Sequence, residues 1–305
     1  MSTQKVSVVD ESRKPSLTIV MLAWPVFIEQ ILVSMVSYVD TAMVGYMGAN
    51  ATAAVSISNS PNMLVNGTIM AIGVGFTAMI SRAIGAEDLQ RAKDLMRQAL
   101  LVVVALGLPL MCVLLLLAEK IPLWMGAQAE ILPDAAAYNR IIAASLIFRT
   151  MSMIITSIMR GYGDTKTPMF VNIGVNIVNV IGNFLLIYPT RTMSLFGLEF
   201  TMIGAGWGVA GAAVATSGSA TIGALIMLAV IFLKKGPMQL GIKGRYLPDW
   251  AILKTVFRIS LPAAFERIAM SSAGIITTST IATLGTVAVA ANSLYLTAES
   301  ICFMP

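Results

Sequence analysis

Eight apolar stretches, separated by short polar segments, divide the chain. They lie near residues 18–45, 53–80, 98–118, 136–159, 168–188, 207–233, 259–283 and 287–305. A helix of about 20 apolar residues crosses the hydrocarbon core of a bilayer. Helices satisfy their own backbone groups there, and the period-two pattern of a membrane barrel does not occur in these stretches. The pattern therefore predicts an all-α membrane protein, a polytopic helical bundle with eight spans.

The start of the first apolar stretch is repeated near the end of the chain. Shifted by 237 residues, the segment from Pro25 to Ser56 aligns without a gap on Pro262 to Ser293, with ten identities in 32 positions. Six predicted spans separate the two copies, so both enter the membrane in the same direction. Such a parallel repeat is typical of two-lobed secondary transporters.

The repeat predicts a two-lobed molecule built from parallel six-helix units, with the second unit incomplete. We expect four parts: a cytoplasmic amino-terminal segment (1–16), a first six-helix lobe (17–233), a cytoplasmic inter-lobe loop (234–258), and the first two helices of a truncated second lobe (259–305). Within the loop, Pro248 to Ile259 has Trp250 and Phe257 on one face and predicts a short interfacial helix with Asp249 as its N-cap. An unstructured linker is the alternative.

Composition supports the membrane assignment. Only 11% of the residues are charged, against about 25% in soluble domains. The net charge of +5 does not indicate a nucleic-acid partner, because the basic residues are spread over short loops. Fifteen of the 20 Lys and Arg lie in the amino terminus and in the loops after the second, fourth and sixth spans. The positive-inside rule therefore predicts a multi-pass protein of the cell membrane whose amino terminus is cytoplasmic.

Polar residues recur along single faces of three predicted spans. On an α-helix, residues eleven apart return to almost the same face. The stripes are Glu29 and Asp40 in the first span, Ser145, Arg149, Ser152 and Thr156 in the fourth, and Asn172, Asn176, Asn179 and Asn183 in the fifth. Polar groups at this depth face one another or water rather than lipid, so we expect them to line a pathway. Arg149 needs a partner, which is either Glu29 or Asp40. Interhelical hydrogen bonding alone is the simpler interpretation of the asparagines.

A carboxylate surrounded by amide and hydroxyl oxygens suits a proton or a hard cation such as sodium, and the sequence does not decide between them. The chain has no His, which excludes Ser–His and zinc-protease chemistry, so we expect no enzyme activity, no cofactor and no metal apart from a possible sodium ion at Asp40. The two similar halves argue against a channel.

The segment from Arg160 to Pro168, RGYGDTKTP, predicts a turn between two helices. We expect Arg160 to bind the last carbonyls of one helix, Gly163 to leave it, and Thr167 and Pro168 to begin the next. Asp164 lies between them, and a role as a cytoplasmic latch would add to this turn.

These residues resemble the multidrug and toxic compound extrusion family. The resemblance is carried by Val39 to Gly45 (VDTAMVG), Ser81 to Ala86 (SRAIGA), Arg160 to Pro168, Gly208 to Thr216 (GVAGAAVAT) and Leu284-Gly285. It implies twelve helices in two lobes, a monomer when full length, and export of drugs or organic metabolites, cationic or amphipathic, in exchange for protons or sodium by alternating access. The lipid bilayer is the other partner that we expect, and we expect no nucleic acid.

The same resemblance implies that Asp40, Asn179, Asn183 and Thr216 form the ion or proton site of the first lobe. Glu29, Arg149, Asn172, Asn176 and Glu266 are expected to line the cavity, and Glu266 lies nearer the start of its span than the essential glutamate of some relatives. A flippase for lipid-linked precursors, from the same superfamily, is the alternative. It should have more cationic residues in its cavity than Arg149 and Arg267, which are the ones within spans.

Overall fold

The structure, a computed structural model, describes residues 15–195, 198–234, 236, 239–241 and 246–302. Ten helices and one hairpin occur in these residues: α1 (Pro15–Gly45), α2 (Ala49–Gly85), α3 (Leu89–Leu116), α4 (Lys120–Trp124), α5 (Leu132–Ala144), α6 (Leu146–Tyr162), α7 (Lys166–Leu186), β1 (Pro189–Leu195), β2 (Leu198–Ala205), α8 (Gly208–Leu233), α9 (Trp250–Ala282) and α10 (Thr286–Cys302). Most of the predicted amino-terminal segment 1–16 lies outside the described residues.

The prediction of an all-α polytopic membrane protein is confirmed. Among the described residues, α1, α2, α3, α7 and α8 are long and apolar enough to cross a membrane, and the bent pair α5–α6 makes a sixth span. The predicted seventh and eighth spans correspond to α9 and α10, which do not meet the same measure. Helix α10 has 17 residues, and α9 carries Glu266 and Arg267 within its 33 residues.

The predicted fourth span is not one helix. Helices α5 and α6 meet at Ser145 with an angle of 50° between them. The Ser145 hydroxyl lies 3.0 Å from the carbonyl oxygen of Ile142 and 3.0 Å from the Ser217 hydroxyl of α8. A side chain that bonds the preceding turn and a neighbouring helix competes with the helical ladder, which accounts for the bend.

A β-hairpin that the apolar pattern did not predict joins α7 to α8. Strand β1 pairs with β2 antiparallel, with an irregularity in register between Pro189 and Arg191. The base of the hairpin is attached to α1, because the Tyr188 hydroxyl donates to the Met43 carbonyl at 2.9 Å. The Arg191 guanidinium lies 4.1 Å from the centre of the Tyr188 ring, within the range of a cation–π interaction.

The sequence repeat is also a structural repeat. Under the same shift of 237 residues, the end of α1 at Gly45 falls on the end of α9 at Ala282, and the start of α2 at Ala49 falls on the start of α10 at Thr286. The connecting glycines, Gly48 and Gly285, both have φ +107°, a conformation that is rare for residues with a side chain. The two copies therefore share the turn as well as the helix ends.

Helix α2 lies at the centre of the bundle, whereas α1 lies at its edge. Helix α2 packs against α6, α9, α10, α3 and α5, while α1 packs mainly against α7. Glycines allow the closest approaches: a Cβ atom on Gly75 would lie 2.9 Å from the Val256 carbonyl of α9, and one on Gly161 would lie 2.9 Å from the Thr77 carbonyl of α2. Small residues thus bring the first lobe and the start of the second into direct contact.

The predicted interfacial helix from Pro248 to Ile259 is not a separate element. It forms the first turns of α9, which runs without a break from Trp250 to Ala282. Asp249 is the N-cap, as predicted, and accepts from the backbone N–H groups of Ala251 and Ile252. The buried Gln98 side chain of α3 donates to the Leu247 carbonyl at 2.7 Å and accepts from the Asp249 N–H at 3.0 Å. Much of the inter-lobe loop before it lies outside the described residues.

Candidate functional site

Two carboxylate–asparagine pairs join α1 to α7. Asn172 donates to Glu29 Oε1 at 2.6 Å, and Asn183 donates to Asp40 Oδ1 at 2.5 Å. Both pairs are 143 residues apart in the chain, and each helix spaces its two members by eleven residues. The helices are therefore parallel and in register, with the pairs about 16 Å apart along the axis. The predicted polar stripes of the first and fifth spans do face each other.

The pair at Asp40 belongs to a larger polar group. With its amide nitrogen turned toward Asp40, Asn179 lies 3.0 Å from Oδ1 and 3.2 Å from Oδ2, and its oxygen lies 3.3 Å from the Thr216 hydroxyl of α8. Asn179 and Asn183 are buried, and Asp40 is half-buried. The structure thus brings together Asp40, Asn179, Asn183 and Thr216, the four residues that the family resemblance implies.

Asp40 lines a chamber of about 220 Å³ between the helices, which is partly open to the outside. In the part of the chain that the structure describes, its lining is mostly polar and contains neither Lys nor Arg: Ser37, Asp40, Thr41, Val44, Thr52, Val55, Asn59, Tyr138, Asn183, Ala212, Thr216 and Ser293. The Tyr138 hydroxyl donates to Asn59 Oδ1 at 3.3 Å. The sequence interpretation missed Asn59, Tyr138 and Ser293. Of these, Ser293 had a signal, because the repeat pairs it with Ser56.

The pair at Glu29 has a different environment. Arg160, near the end of α6, donates to Glu29 Oε1 at 2.8 Å, and the Glu29 side chain is only 7% exposed. The expectation that Arg149 pairs with Glu29 or Asp40 is wrong, because no ion pair joins Arg149 to either one among the described residues. The prediction that Arg160 caps its own helix is also corrected, since its side chain crosses to α1. Glu29 Oε2 and Arg160 Nε are buried without a hydrogen-bond partner in the described part of the chain.

The other residues predicted to line the cavity form no hydrogen bond or ion pair with Asp40 or Glu29 in the described part of the chain. Asn176 continues the asparagine stripe between the two pairs, and its buried Nδ2 atom has no partner in the described residues. Arg149 is half-buried in α6, one turn after the bend at Ser145. Glu266 is exposed on α9, and within the described ranges no hydrogen bond or ion pair joins it to Asp40 or Glu29.

The turn between α6 and α7 is held by Asp164. Gly163 ends α6 with φ 93°, as predicted, but α7 begins at Lys166, before the expected Thr167 and Pro168. Asp164 accepts from the Thr167 N–H at 3.0 Å, the Thr167 hydroxyl at 2.7 Å and Lys234 Nζ at 3.0 Å. Burial alone would raise the pKa of the Asp164 carboxyl, but these bonds and the Lys234 charge outweigh it and hold the pKa below its ordinary value.

Known proteins similar to this chain include membrane transporters. The family model MatE matches residues 25–185. The uncharacterized transporter YisQ of Bacillus subtilis is 30% identical over 264 residues, which cover 87% of this chain and 55% of YisQ. The probable multidrug resistance protein NorM of Thermotoga maritima is 29% identical over 287 residues, which cover 94% of this chain and 59% of NorM. The chain thus spans somewhat more than half the length of these relatives.

Solved structures have the same fold. An outward-facing multidrug resistance MATE family transporter of the MOP superfamily matches with a TM-score of 0.79 and 25% identity, covering 94% of this chain and 60% of the other. An inward-facing one matches with a TM-score of 0.75 and 26% identity, covering 90% and 60%. Because the family model spans more than half of the chain, and YisQ aligns with 87% of it at 30% identity, the chain belongs to the MatE family of multi-pass membrane transporters.

Proposed function

We propose that this chain forms the ion-coupling part of a secondary antiporter, which exports drugs or organic metabolites in exchange for protons or sodium by alternating access. The observation that carries the proposal is the Asp40 chamber. Among the described residues, Asp40 is the one acidic side chain in its lining and no Lys or Arg lies there to neutralise it, while Asn179, Asn183 and Thr216 are its polar neighbours. Such a carboxylate is free to bind a cation or a proton.

The size of the chamber favours an ion over a drug. About 220 Å³ holds an ion with a few water molecules, whereas drug-sized ligands occupy pockets of about 300–1,000 Å³. The organic substrate would therefore bind elsewhere, between the two lobes, and respond to Asp40 through the arrangement of the helices. Names that include multidrug resistance or multidrug export, among relatives that match most of this chain, support an organic substrate.

The polar neighbours of Asp40 can form hydrogen bonds with both its ionised and its protonated form. An ionised carboxylate accepts from the amide nitrogens of Asn179 and Asn183, and a protonated one donates to an amide oxygen after the amide turns. A sodium ion would be bound by the carboxylate together with amide and hydroxyl oxygens, which are the ligands that hard cations prefer. This donor set fits either coupling ion.

The flippase alternative is less well supported. A lipid-linked precursor carries phosphate groups, which proteins bind with Arg and Lys. Arg160 is paired with Glu29, and Arg267 lies against Gly67 of α2.

Efflux under imposed gradients tests the proposal. A protein that contains this chain and a complete second lobe would be reconstituted into vesicles loaded with a cationic fluorescent dye, and a proton gradient and a sodium gradient would be imposed separately. We expect one of the two gradients to drive dye against its concentration gradient. Dye movement that neither gradient accelerates would contradict the antiporter assignment.

A further inference from the structure

The chamber around Asp40 is not built from the first lobe alone. Eleven of its twelve lining residues lie between Ser37 and Thr216, in α1, α2, α5, α7 and α8. The twelfth, Ser293, belongs to α10, the second helix of the second repeat. A site whose wall comes from both repeats depends on how the repeats are arranged.

Helix α10 packs against α2 one turn before Ser293. Val289 is 1% exposed and packs in a cluster with Ala53, Ala54 and Ile57 of α2. The alanines allow close approach of the two helices. Because residues four apart share a helix face, the contact made by Val289 directs Ser293 toward the same side. The position of Ser293 therefore follows from packing of α10 against α2.

A second polar group on α10 lacks a partner. The Nδ2 atom of Asn292, the residue before Ser293, is buried and has no hydrogen-bond partner in the described residues. Buried donors are satisfied by protein groups, ordered water or ions in nearly all native structures. In the first repeat the position equivalent to Asn292 is Val55, which has no donor and itself lines the chamber. The second repeat thus carries a polar side chain, without a partner in the described residues, beside Ser293, where the first repeat has an apolar one beside Ser56.

We propose that α10 completes the ion site, with Ser293 as a ligand for the ion or water bound at Asp40. The inference rests on the proposed coupling role of Asp40. Ion affinity would be highest while α10 packs on α2 beside the chamber, and it would fall when the lobes move apart and Ser293 leaves. A ligand that prefers one of two arrangements shifts the population toward it, so occupancy at Asp40 would favour contact between the repeats.

Cysteine chemistry tests the geometry without any transport. Ser293→Cys is made in a chain with Cys112→Ser and Cys302→Ser, and its modification by the small neutral reagent methyl methanethiosulfonate is timed in nanodiscs. A nearby carboxylate disfavours the reactive thiolate. Adding Asp40→Asn should therefore speed modification at a fixed pH, by about threefold or more.

Tyr295→Cys is the matched control, because Tyr295 is 61% exposed and two residues further along the helix, on the opposite side. Its modification rate should not respond to Asp40→Asn. Equal responses in the Ser293→Cys and Tyr295→Cys variants, or no response in Ser293→Cys, would overturn the shared site.

Coupling is tested in the protein with a complete second lobe. Ser293→Ala should raise the concentration of coupling ion needed for half-maximal efflux, by about fivefold for one lost neutral hydrogen bond, with substrate affinity unchanged. Ser56→Ala, the equivalent change in the first repeat, should have no effect. Unchanged ion dependence in Ser293→Ala, with efflux still lost in Asp40→Asn, would reject the role of α10 and leave the antiporter in place. Normal efflux in Asp40→Asn would instead reject the coupling role itself.

Discussion

At the scale of single residues, the two carboxylates of α1 differ in their neighbours. Glu29 has a permanent counter-ion in Arg160 and an amide donor in Asn172, whereas Asp40 has amide and hydroxyl neighbours without a positive charge. Glu29 therefore takes part in an ion pair that joins α1 to α6, whereas Asp40 has no basic partner among the described residues that line its chamber. The sequence predicted that both face α7. The sequence did not predict that Arg160 pairs with Glu29. The depth of each residue of the fourth span was judged as if the span were straight, whereas the helices bend by 50° at Ser145.

The Glu29–Arg160 pair should stabilise the bundle. Arg160→Gln leaves a carboxylate that is 7% exposed without its counter-ion, and we expect it to lower the free energy of unfolding by about 1–3 kcal/mol. Adding Glu29→Gln removes the orphaned charge, so the double variant should be more stable than Arg160→Gln alone. Thermal unfolding in detergent measures both. If the loss of stability in the double variant equals the sum of the losses in Arg160→Gln and Glu29→Gln, the two residues do not form a direct pair.

Acid should weaken the turn between α6 and α7. Since the pKa of Asp164 is held below its ordinary value in the folded protein, its ionised form stabilises the fold above that ordinary value, and the stabilisation is lost as the pH falls through the lowered pKa. Asp164→Asn should be less stable than the parent near pH 7, and the difference should shrink on acidification to about pH 3. Melting temperatures across this range give the comparison. A difference that grows on acidification would reverse the assigned sign.

At the scale of elements, helix positions followed from the sequence, but interruptions and strands did not. Apolar length located the spans, and the gap between the last two apolar stretches, 284–286, overlaps the turn between α9 and α10. The bend between α5 and α6 depends on a contact of Ser145 with Ser217, 72 residues away, which no local pattern contains. The hairpin between α7 and α8 depends on Tyr188 reaching α1. Long-range contacts of this kind override local preference.

Glycine-mediated contact between α2 and α6 can be tested with a matched pair. A methyl group at Gly161 would lie 2.9 Å from the Thr77 carbonyl and 3.2 Å from Ile80 Cβ, so Gly161→Ala should force the helices apart at a cost of about 1–3 kcal/mol. A methyl group at Gly174 of α7 would meet no described atom within 4 Å outside the adjacent turns of its own helix, so Gly174→Ala should be neutral or stabilising. Thermal stability in detergent compares them. Equal effects in the two variants would show that helix propensity, not packing, determines the result.

At the scale of the whole molecule, both copies of the sequence repeat contribute residues to the Asp40 chamber. The first lobe supplies Asp40 and its asparagines, and the second repeat reaches the same chamber through Ser293. The family resemblance implied the residues of the first lobe but not this contribution from α10. Orientation in the membrane remains a prediction from the distribution of Lys and Arg.

Surface labelling tests the orientation. Gln90 lies in the first turn of α3, after the second span, and Gly241 lies between α8 and α9, after the sixth span. Gln90→Cys and Gly241→Cys are each made in a chain with Cys112→Ser and Cys302→Ser. Both should resist a membrane-impermeant thiol reagent in intact cells and react after the membrane is opened. Labelling of either position from outside would reverse the predicted topology.

Asp40→Asn in a transporter that contains this chain and a complete second lobe is the most direct test of the coupling role. The change preserves the shape of the side chain and removes its titratable charge. Because a group that cannot change state cannot shift the population of lobe arrangements, substrate should still bind while gradient-driven efflux disappears. Asn183→Ala removes one neighbour and leaves the charge, so it should reduce efflux less. Normal insertion, normal substrate binding and undiminished efflux in Asp40→Asn would contradict the claim that this carboxylate couples transport.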